Sequence, residues 1–321
     1  MVTTAWSAPE PLPCLVVTIR LTVDRDRWWS HATDVAATVD GLVPVVKGNG
    51  YGFGRANLAI AASRLSEIIA VGTVHELDGL PEDLTVIVLT PTLRAPESTD
   101  PVLTVGSHRH IEALAGWAGR VIVKLDSPMH RYGGGVELVA EAQRTGLRTV
   151  GVAIHPPLAT TDEDRLGFIS EQLPRIDPTL DVWLSHLSPG AYELLPDTHR
   201  YKLRVGSYLW HGDREAIKLE ADVLDTKSAE AGSTAGYRLR TIERDSTIVM
   251  IGAGSASGVA TLTDGRSPFH FARQRLELVE PPHMHTSMTL VPFGEPCPIV
   301  GDWVDLQRPL TMTAADELRW I

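Results

Sequence analysis

Between residues 42 and about 212 short apolar runs alternate with stretches that have helical spacing. The runs are Leu42–Val46, Ile68–Val74, Leu84–Leu89, Val102–Val105, Val121–Leu125, Thr149–Ile154, Val182–Leu187 and Leu203–Leu209. The helical stretches between them are Asn57–Leu65, His110–Ala118, Val136–Arg144 and Glu163–Ile176. Apolar runs this short, separated by helical crossovers, predict parallel strands buried on both faces. Eight of them predict an α/β fold, an eight-stranded β/α (TIM) barrel; an open parallel sheet fits the same alternation.

After Gly212 the texture changes. Glu220–Leu224, Tyr237–Arg240, Thr247–Ile251, Leu276–Val279, Thr289–Val291 and Trp303–Leu306 are short β-like runs separated by turn residues, the pattern of a C-terminal all-β domain. Ahead of the barrel, residues 1–12 read as a proline-rich arm and Cys14–Thr22 as a strand. Asp24–Ala37 follows as a helix burying Trp28, Trp29 and Ala32.

Composition narrows the function classes. The 321 residues are 43% hydrophobic and 21% charged, as in ordinary globular domains. Lys+Arg 29 against Asp+Glu 40 gives a net charge of -11, which argues against nucleic acid or an anionic membrane as partner. Cys14 and Cys297 have no metal-ligand spacing and form no disulfide framework, which fits a cytoplasmic location. The N-terminus has no signal-peptide pattern, and no segment has 18 uninterrupted apolar residues.

The chemistry concentrates first at Val45–Gly54, V-V-K-G-N-G-Y-G-F-G. An apolar run ends in Lys47, and four glycines follow, with Asn49 and Tyr51 between them. A lysine in an enclosed strand-end loop loses hydration, its pKa falls, and it becomes fit for Schiff-base chemistry. The plainer reading is a surface lysine in a glycine-rich turn. The stretch resembles the pyridoxal-phosphate lysine motif of the alanine racemase family, V-V-K-A-N-A-Y-G-H-G. Here Gly48 and Gly50 replace the alanines and Phe53 the histidine.

Further motifs extend the resemblance. Val123–Gly133, V-K-L-D-S-P-M-H-R-Y-G, is similar to the family's K-V-D-T-G-M-x-R-L-G. It implies that Arg131 binds the cofactor phenolate or a substrate carboxylate, held in place by Lys124, a position sometimes carbamylated. From the residues alone, Asp126 and Arg131 also fit a surface ion pair. His155, in G-V-A-I-H-P-P, matches a histidine that supports the catalytic tyrosine. Ser188 matches a phosphate-binding serine, with Ser185 the alternative. Leu203–Gly212 resembles R-P-G-I-A-L-Y-G, so Arg204 faces the pyridine nitrogen, and Gly206 and Ser207 hold the phosphate through backbone N–H groups. Tyr51 matches a phosphate-contacting tyrosine.

The resemblance breaks in the β domain. The family's second base is the tyrosine of G-Y-A-D-G-Y; Gly254–Val259 reads G-S-A-S-G-V, with Ser255 in its place. His283–Met288, H-M-H-T-S-M, resembles C-M-D-Q-x-M, with His285 for the aspartate. His285 or Tyr237 is then the candidate replacement base, although exposed histidines are the plainer reading. The family layout implies residues 1–22 as an arm and a strand joining the C-terminal domain, 23–215 as the cofactor-binding barrel and 216–321 as the β domain, in a head-to-tail homodimer. Three functions follow: an amino-acid racemase with a changed second base, a single-base lyase, decarboxylase or epimerase, and a non-catalytic cofactor- or amino-acid-binding protein. The residues implied as catalytic are Lys47, Arg131, His155 and His285, with pyridoxal 5'-phosphate as cofactor.

Overall fold

The computed structural model describes residues 17–321. The expected arm and the first residues of the strand expected from Cys14 lie outside them. The chain divides into two compact units. One is Trp29–Gly212; the other is Asp213–Ile321 together with the residues up to Trp28. The first described strand, β1 (Ile19–Val23), belongs to the second unit, and α1 (Arg25–Thr38) runs from there into the first.

The unit Trp29–Gly212 is an eight-stranded β/α barrel. Its strands are β2 (Leu42–Pro44), β3 (Ile68–Val71), β4 (Thr85–Val88), β5 (Val102–Val105), β6 (Arg120–Lys124), β7 (Arg148–Ala153), β8 (Asp181–Ser185) and β9 (Tyr201–Val205). All neighbours are parallel. The ring closes between β2 and β3, where Val45 bridges to Ala70 and Val46 N–H donates to Ala70 O at 2.8 Å. Closure leaves no open edge, so the bland open sheet is ruled out.

Six helices follow in the barrel: α2 (Arg55–Ala62), α3 (His108–Ala113), α4 (Glu137–Arg144), α5 (Asp162–Gln172), α6 (Pro189–Tyr192) and α7 (Ser207–His211). Their starts are local. Ser107 caps α3, and Thr161 with Asp164 makes a capping box on α5. In β7, Gly151 is required by space: a Cβ there would lie 2.5 Å from Asp181 O and against the Trp183 indole.

The second unit is built on the long strand β10 (Ile217–Ala229). A two-residue pair follows, β11 (Thr234–Ala235) and β12 (Arg240–Thr241), then β13 (Ser246–Ile251), β14 (Phe269–Phe271), β15 (Gln274–Arg275), β16 (Glu277–Leu278), β17 (Ser287–Pro292), β18 (Trp303–Leu306) and β19 (Glu317–Trp320). β10 pairs antiparallel with β1, β13 and β18, and β1 also pairs parallel with β19. Ile19, Leu21 and Val23, on one face of β1, are fully buried. A separate cluster of Ala229, Ala235, Ile242, Ile248, Val279 and Leu290 fills the far end of this unit.

Two sequence expectations need correction. Of Tyr237–Arg240 only Arg240 is strand, the first residue of β12; the three residues before it form a turn, with Gly236 at φ +76° and Leu239 at φ +51°, and the buried Glu280 carboxylate accepts from Tyr237 N–H at 2.8 Å and Arg238 N–H at 3.2 Å. The run Leu203–Leu209 is a strand only to Val205; Gly206 breaks it and starts α7. Among the described residues no helix is long and apolar enough to cross a membrane.

Candidate active site

The residues singled out in the barrel stand at the C-terminal ends of its strands, the face that carries function in this architecture. Lys47 follows β2 on a loop whose backbone is forced left-handed, with Gly48 at φ +65°, Gly50 at φ +63° and Tyr51 at φ +56°. At Gly50 a side chain is impossible, since a Cβ would lie 2.5 Å from Arg55 N. Asn49 Oδ1 closes the loop by accepting from Gly52 N–H at 3.2 Å. Glu76 Oε2 pins its start, accepting from Gly48 N–H at 3.2 Å and Gly72 N–H at 2.7 Å. Lys47 is exposed at the mouth, yet its ammonium is held below the ordinary lysine range, by partial loss of hydration on the barrel side and then by the Arg131 and Arg204 charges; Glu76 only partly opposes this.

Tyr51 is buried, and burial pushes its phenol up to about 12, so it is a neutral donor at physiological pH. Its Oη lies directly over Gly206, where a methyl group would overlap it. Its carbonyl accepts from His211 Nε2 at 2.7 Å, and Trp210 Nε1–H donates to Val45 O at 2.8 Å. These bonds tie α7 to the Lys47 loop. The first N–H groups of α7, from Gly206 and Ser207, therefore open beside a phenol donor.

Arg204, near the end of β9, is anchored by backbone carbonyls. Nε–H donates to Leu184 O at 3.1 Å, and Nη2–H to Ile154 O at 3.2 Å and Trp183 O at 3.3 Å. Burial lowers it to about 10, leaving it a cation at neutral pH. Lys124, the last residue of β6, is buried; its Nζ donates to Tyr132 O at 2.7 Å and Leu125 O at 3.4 Å. Burial, then Arg204 and Arg131, bring it down to about 8, with Asp126 opposing. Arg131 turns to Tyr132 rather than to Asp126: Nη2–H donates to Tyr132 Oη at 3.3 Å, with the guanidinium carbon 5.0 Å from the ring centre. Asp126 instead accepts from Ser127 N–H at 2.8 Å.

His155, just beyond β7, is hydrogen-bonded through Nδ1 to the Ser185 hydroxyl. Its ring centre lies 4.4 Å from that of His186. Burial and the Arg204 charge hold it neutral, down to about 2.

Eight predicted residues thus share the barrel mouth: Lys47, Tyr51, Lys124, Arg131, His155, Arg204, Gly206 and Ser207. Ser188 is differently engaged. Its Oγ donates to Asp162 Oδ2 at 2.5 Å and caps α6, while the alternative, Ser185, is the one bonded to His155. His285 belongs to the other unit and is exposed.

Sequence reading missed Glu76, Tyr132, His186 and His211. His186 sits at φ +67°, with its Nδ1 on Pro156 O at 2.9 Å. Arg165 fixes its carbonyl at 2.9 Å. The signal was adjacency, since Tyr132 follows Arg131 and His186 follows Ser185, but neither spacing announces a role.

In the β unit, Ser255 opens a short 3-10 turn, Ser255–Ser257. Ser255 N–H donates to His283 O at 2.8 Å and Ala256 N–H to Met284 O at 2.9 Å. His283, rather than His285, has a carboxylate partner: its Nε2 is 2.6 Å from Glu280 Oε1, and the Tyr237 ring lies 4.7 Å from its own.

Fold and site together define a β/α-barrel protein with a lysine-centred, cation-rich mouth, followed by an antiparallel β unit. Residues 23–213 match the family described as alanine racemase, N-terminal domain, and the chain belongs to that family. It is 29% identical over 274 residues to an alanine racemase of Salinispora arenicola, covering 73% of each chain. To one of Deinococcus deserti it is 31% identical over 245 residues, covering 68% of each. Among solved structures, alanine racemase from Bartonella henselae with covalently bound pyridoxal phosphate superposes with a TM-score of 0.73 at 20% identity, over 95% of this chain and 99% of that one. Alanine racemase of Clostridium difficile 630 gives 0.74 at 17%, over 96% and 97%. At these identities the structural likeness shows the fold.

The neutral His155 makes the barrel sensitive to acid. An unfolded histidine takes up a proton around 6.5, whereas the folded one refuses it down to about 2. Between these values the unfolded chain binds more protons, so stability is lost as pH falls below 6.5. Full coupling costs about 2 kcal/mol between pH 6.5 and 5. Urea unfolding at those two pH values is expected to show a smaller loss in His155→Gln than in the wild type; equal losses would remove His155 as the source.

Proposed function

We propose that this chain binds pyridoxal 5'-phosphate and acts on an amino acid as an alanine racemase-type enzyme with an altered second base, Ser255 standing where the family has tyrosine. The observation that carries the reading is Lys47 with its lowered pKa, set among Lys124, Arg131 and Arg204. Of the two carboxylates acting on these cations, Glu76 caps backbone N–H groups beside Lys47, and Asp126 caps one near Lys124. The donor set suits a small polyanion. Tyr51 and the N–H groups of Gly206 and Ser207 would hold its phosphate, and Arg131 its phenolate oxygen or a substrate carboxylate. Gly206 lets the Tyr51 hydroxyl approach this turn closely, since a Cβ there would overlap it.

When bound, pyridoxal phosphate supplies an electron sink that acidifies the substrate α-proton. Lys47 is the residue that moves that proton on one face. Arg204 stays protonated at its position, which favours a weak sink and a narrow reaction. His155, neutral and bonded to Ser185, is a positioning residue. The serine at 255 has neither the reach nor the acidity of a phenol. It therefore also supports a second reading, a one-base reaction on an amino acid.

Three outcomes test the reading. Purified protein supplied with pyridoxal phosphate is expected to absorb in the visible, and borohydride to fix the cofactor on Lys47; a label on another lysine, or no binding at saturation, refutes it. Light scattering at micromolar concentration is expected to give a homodimer, as the family layout implies, and a cofactor-loaded monomer would contradict this.

The altered base is read by solvent deuterium exchange at Cα of L- and D-alanine. Loss of a positioned base costs roughly 10²–10⁴ in rate, so the wild type is expected to exchange the two enantiomers unequally. Ser255→Tyr should raise the slower one. Fast, equal exchange by the wild type would mean that another residue, such as His285 or Tyr237, already serves the second face.

A further inference from the structure

The loop that carries Arg131 is a closed ring of backbone. Asp126 N–H donates to Gly134 O at 2.9 Å, Gly134 N–H returns to Lys124 O at 3.1 Å, and Leu125 bridges to Gly134. Gly133 permits this closure, since a Cβ there would lie 2.6 Å from Leu125 O. Tyr132 projects from that ring between two cations. Its carbonyl accepts from Lys124 Nζ at 2.7 Å, while its phenol oxygen, at the far end of the same residue, accepts from Arg131 Nη2 at 3.3 Å. Lys124 Nζ is 5.3 Å from the ring centre and the Arg131 guanidinium carbon 5.0 Å. The phenol hydrogen goes on to Leu89 O at 3.2 Å, just past β4.

Lys124 and Arg131 are therefore held at opposite ends of one tyrosine. We propose that Tyr132 is the residue that positions Arg131, and that it does so in place of a carbamate on Lys124, which stays an unmodified amine. The inference rests on the reading of Arg131 as an anion-binding residue. The geometry supports it twice. One aromatic ring packs against both cations, its centre 5.3 Å from Lys124 Nζ and 5.0 Å from the Arg131 guanidinium carbon. The Lys124 nitrogen also faces two carbonyl oxygens, which complement an ammonium and repel an anion. Carbamylation would form an N–C bond between the neutral amine and CO2 and release one proton. With its lowered pKa the amine could supply that nucleophile, so what opposes the step is the surroundings of Lys124, the two carbonyls and the packed ring, rather than amine reactivity. The aromatic face also offers both cations attraction that does not depend on dissolved CO2.

The test uses the cofactor-loaded protein in 13C-bicarbonate, read by 13C NMR for a carbamate carbon, with L-alanine affinity followed through the visible spectrum. Wild type and Tyr132→Phe are expected to show no carbamate. Tyr132→Leu, which removes the ring packed against both cations, is expected to gain a bicarbonate-dependent signal that a second change, Lys124→Met, removes. L-alanine affinity should fall a few-fold in Tyr132→Phe, which loses both phenol bonds, and about tenfold in Tyr132→Leu. Bicarbonate should restore part of the loss only in Tyr132→Leu.

A carbamate signal in the wild type, or unchanged affinity in Tyr132→Phe at full cofactor loading, overturns the proposal. The wild-type spectrum decides the carbamate question even if Tyr132→Leu does not fold. If the protein binds no cofactor, the functional reading fails on its own visible spectrum while the NMR comparison still reads Lys124.

Discussion

Four cations converge on one end of the barrel, and their mutual repulsion is the constraint around which the mouth is arranged. Lys47 feels Arg131 and Arg204, and Lys124 feels both as well. Two like charges a few ångströms apart cost about 1 kcal/mol in water and about 4 at a protein surface. The fold offsets that cost mainly with backbone oxygen. Arg204 is held by the carbonyls of Ile154, Trp183 and Leu184, and Lys124 by those of Leu125 and Tyr132. Carbonyls neutralise no charge, so the field that would attract an anion survives. A ring of carboxylates would have stabilised the empty barrel better and left nothing to bind with.

The same economy explains the histidines. His155 and His186 lie near these cations, and they and His211 are each held below the ordinary range with burial as the largest cause. A charged imidazole would add to the repulsion. As neutral rings they pack instead. His211 lies edge-on to Tyr51 and bonds its carbonyl, which steadies a left-handed residue that strain would otherwise oppose. His155 and His186 stack against each other, each with its Nδ1 already committed.

What the sequence made legible follows from how local each signal is. The barrel strands were readable because each is a short, fully buried run, as in Val102–Val105, where all four residues are buried. Lys47 was readable because left-handed glycines are a local requirement written beside it. The turn at Tyr237, Arg238 and Leu239 was misread as strand because the carboxylate that shapes it, Glu280, lies 43 residues away from Tyr237. β19 went unseen because its parallel partner is β1, at the other end of the chain. Tyr132 and His186 were invisible as site residues for a related reason. Their positions come from loop closure and from Arg165, not from any spacing in the sequence.

In the β unit, the backbone around Ser255 is fixed by its neighbours rather than by the side chain it carries. A Cβ at Gly254 would lie 2.5 Å from both His283 O and Met284 O, and the next two N–H groups bond to those same carbonyls. The backbone at Ser255 is thereby fixed against the 283–284 segment whatever side chain it carries. The frame requires glycine at 254 and a loop closed at His283, whose N–H reaches Thr286 O at 2.9 Å. His283, whose carbonyl accepts from Ser255 N–H, is paired with Glu280, whose carboxylate is oriented by two backbone N–H groups and stays ionised, below the usual range. A carboxylate bonded to one ring nitrogen holds the imidazole in one orientation, which is the preparation a proton-transfer histidine needs. Within this unit it is His283 that is held in this way, two residues before the exposed His285.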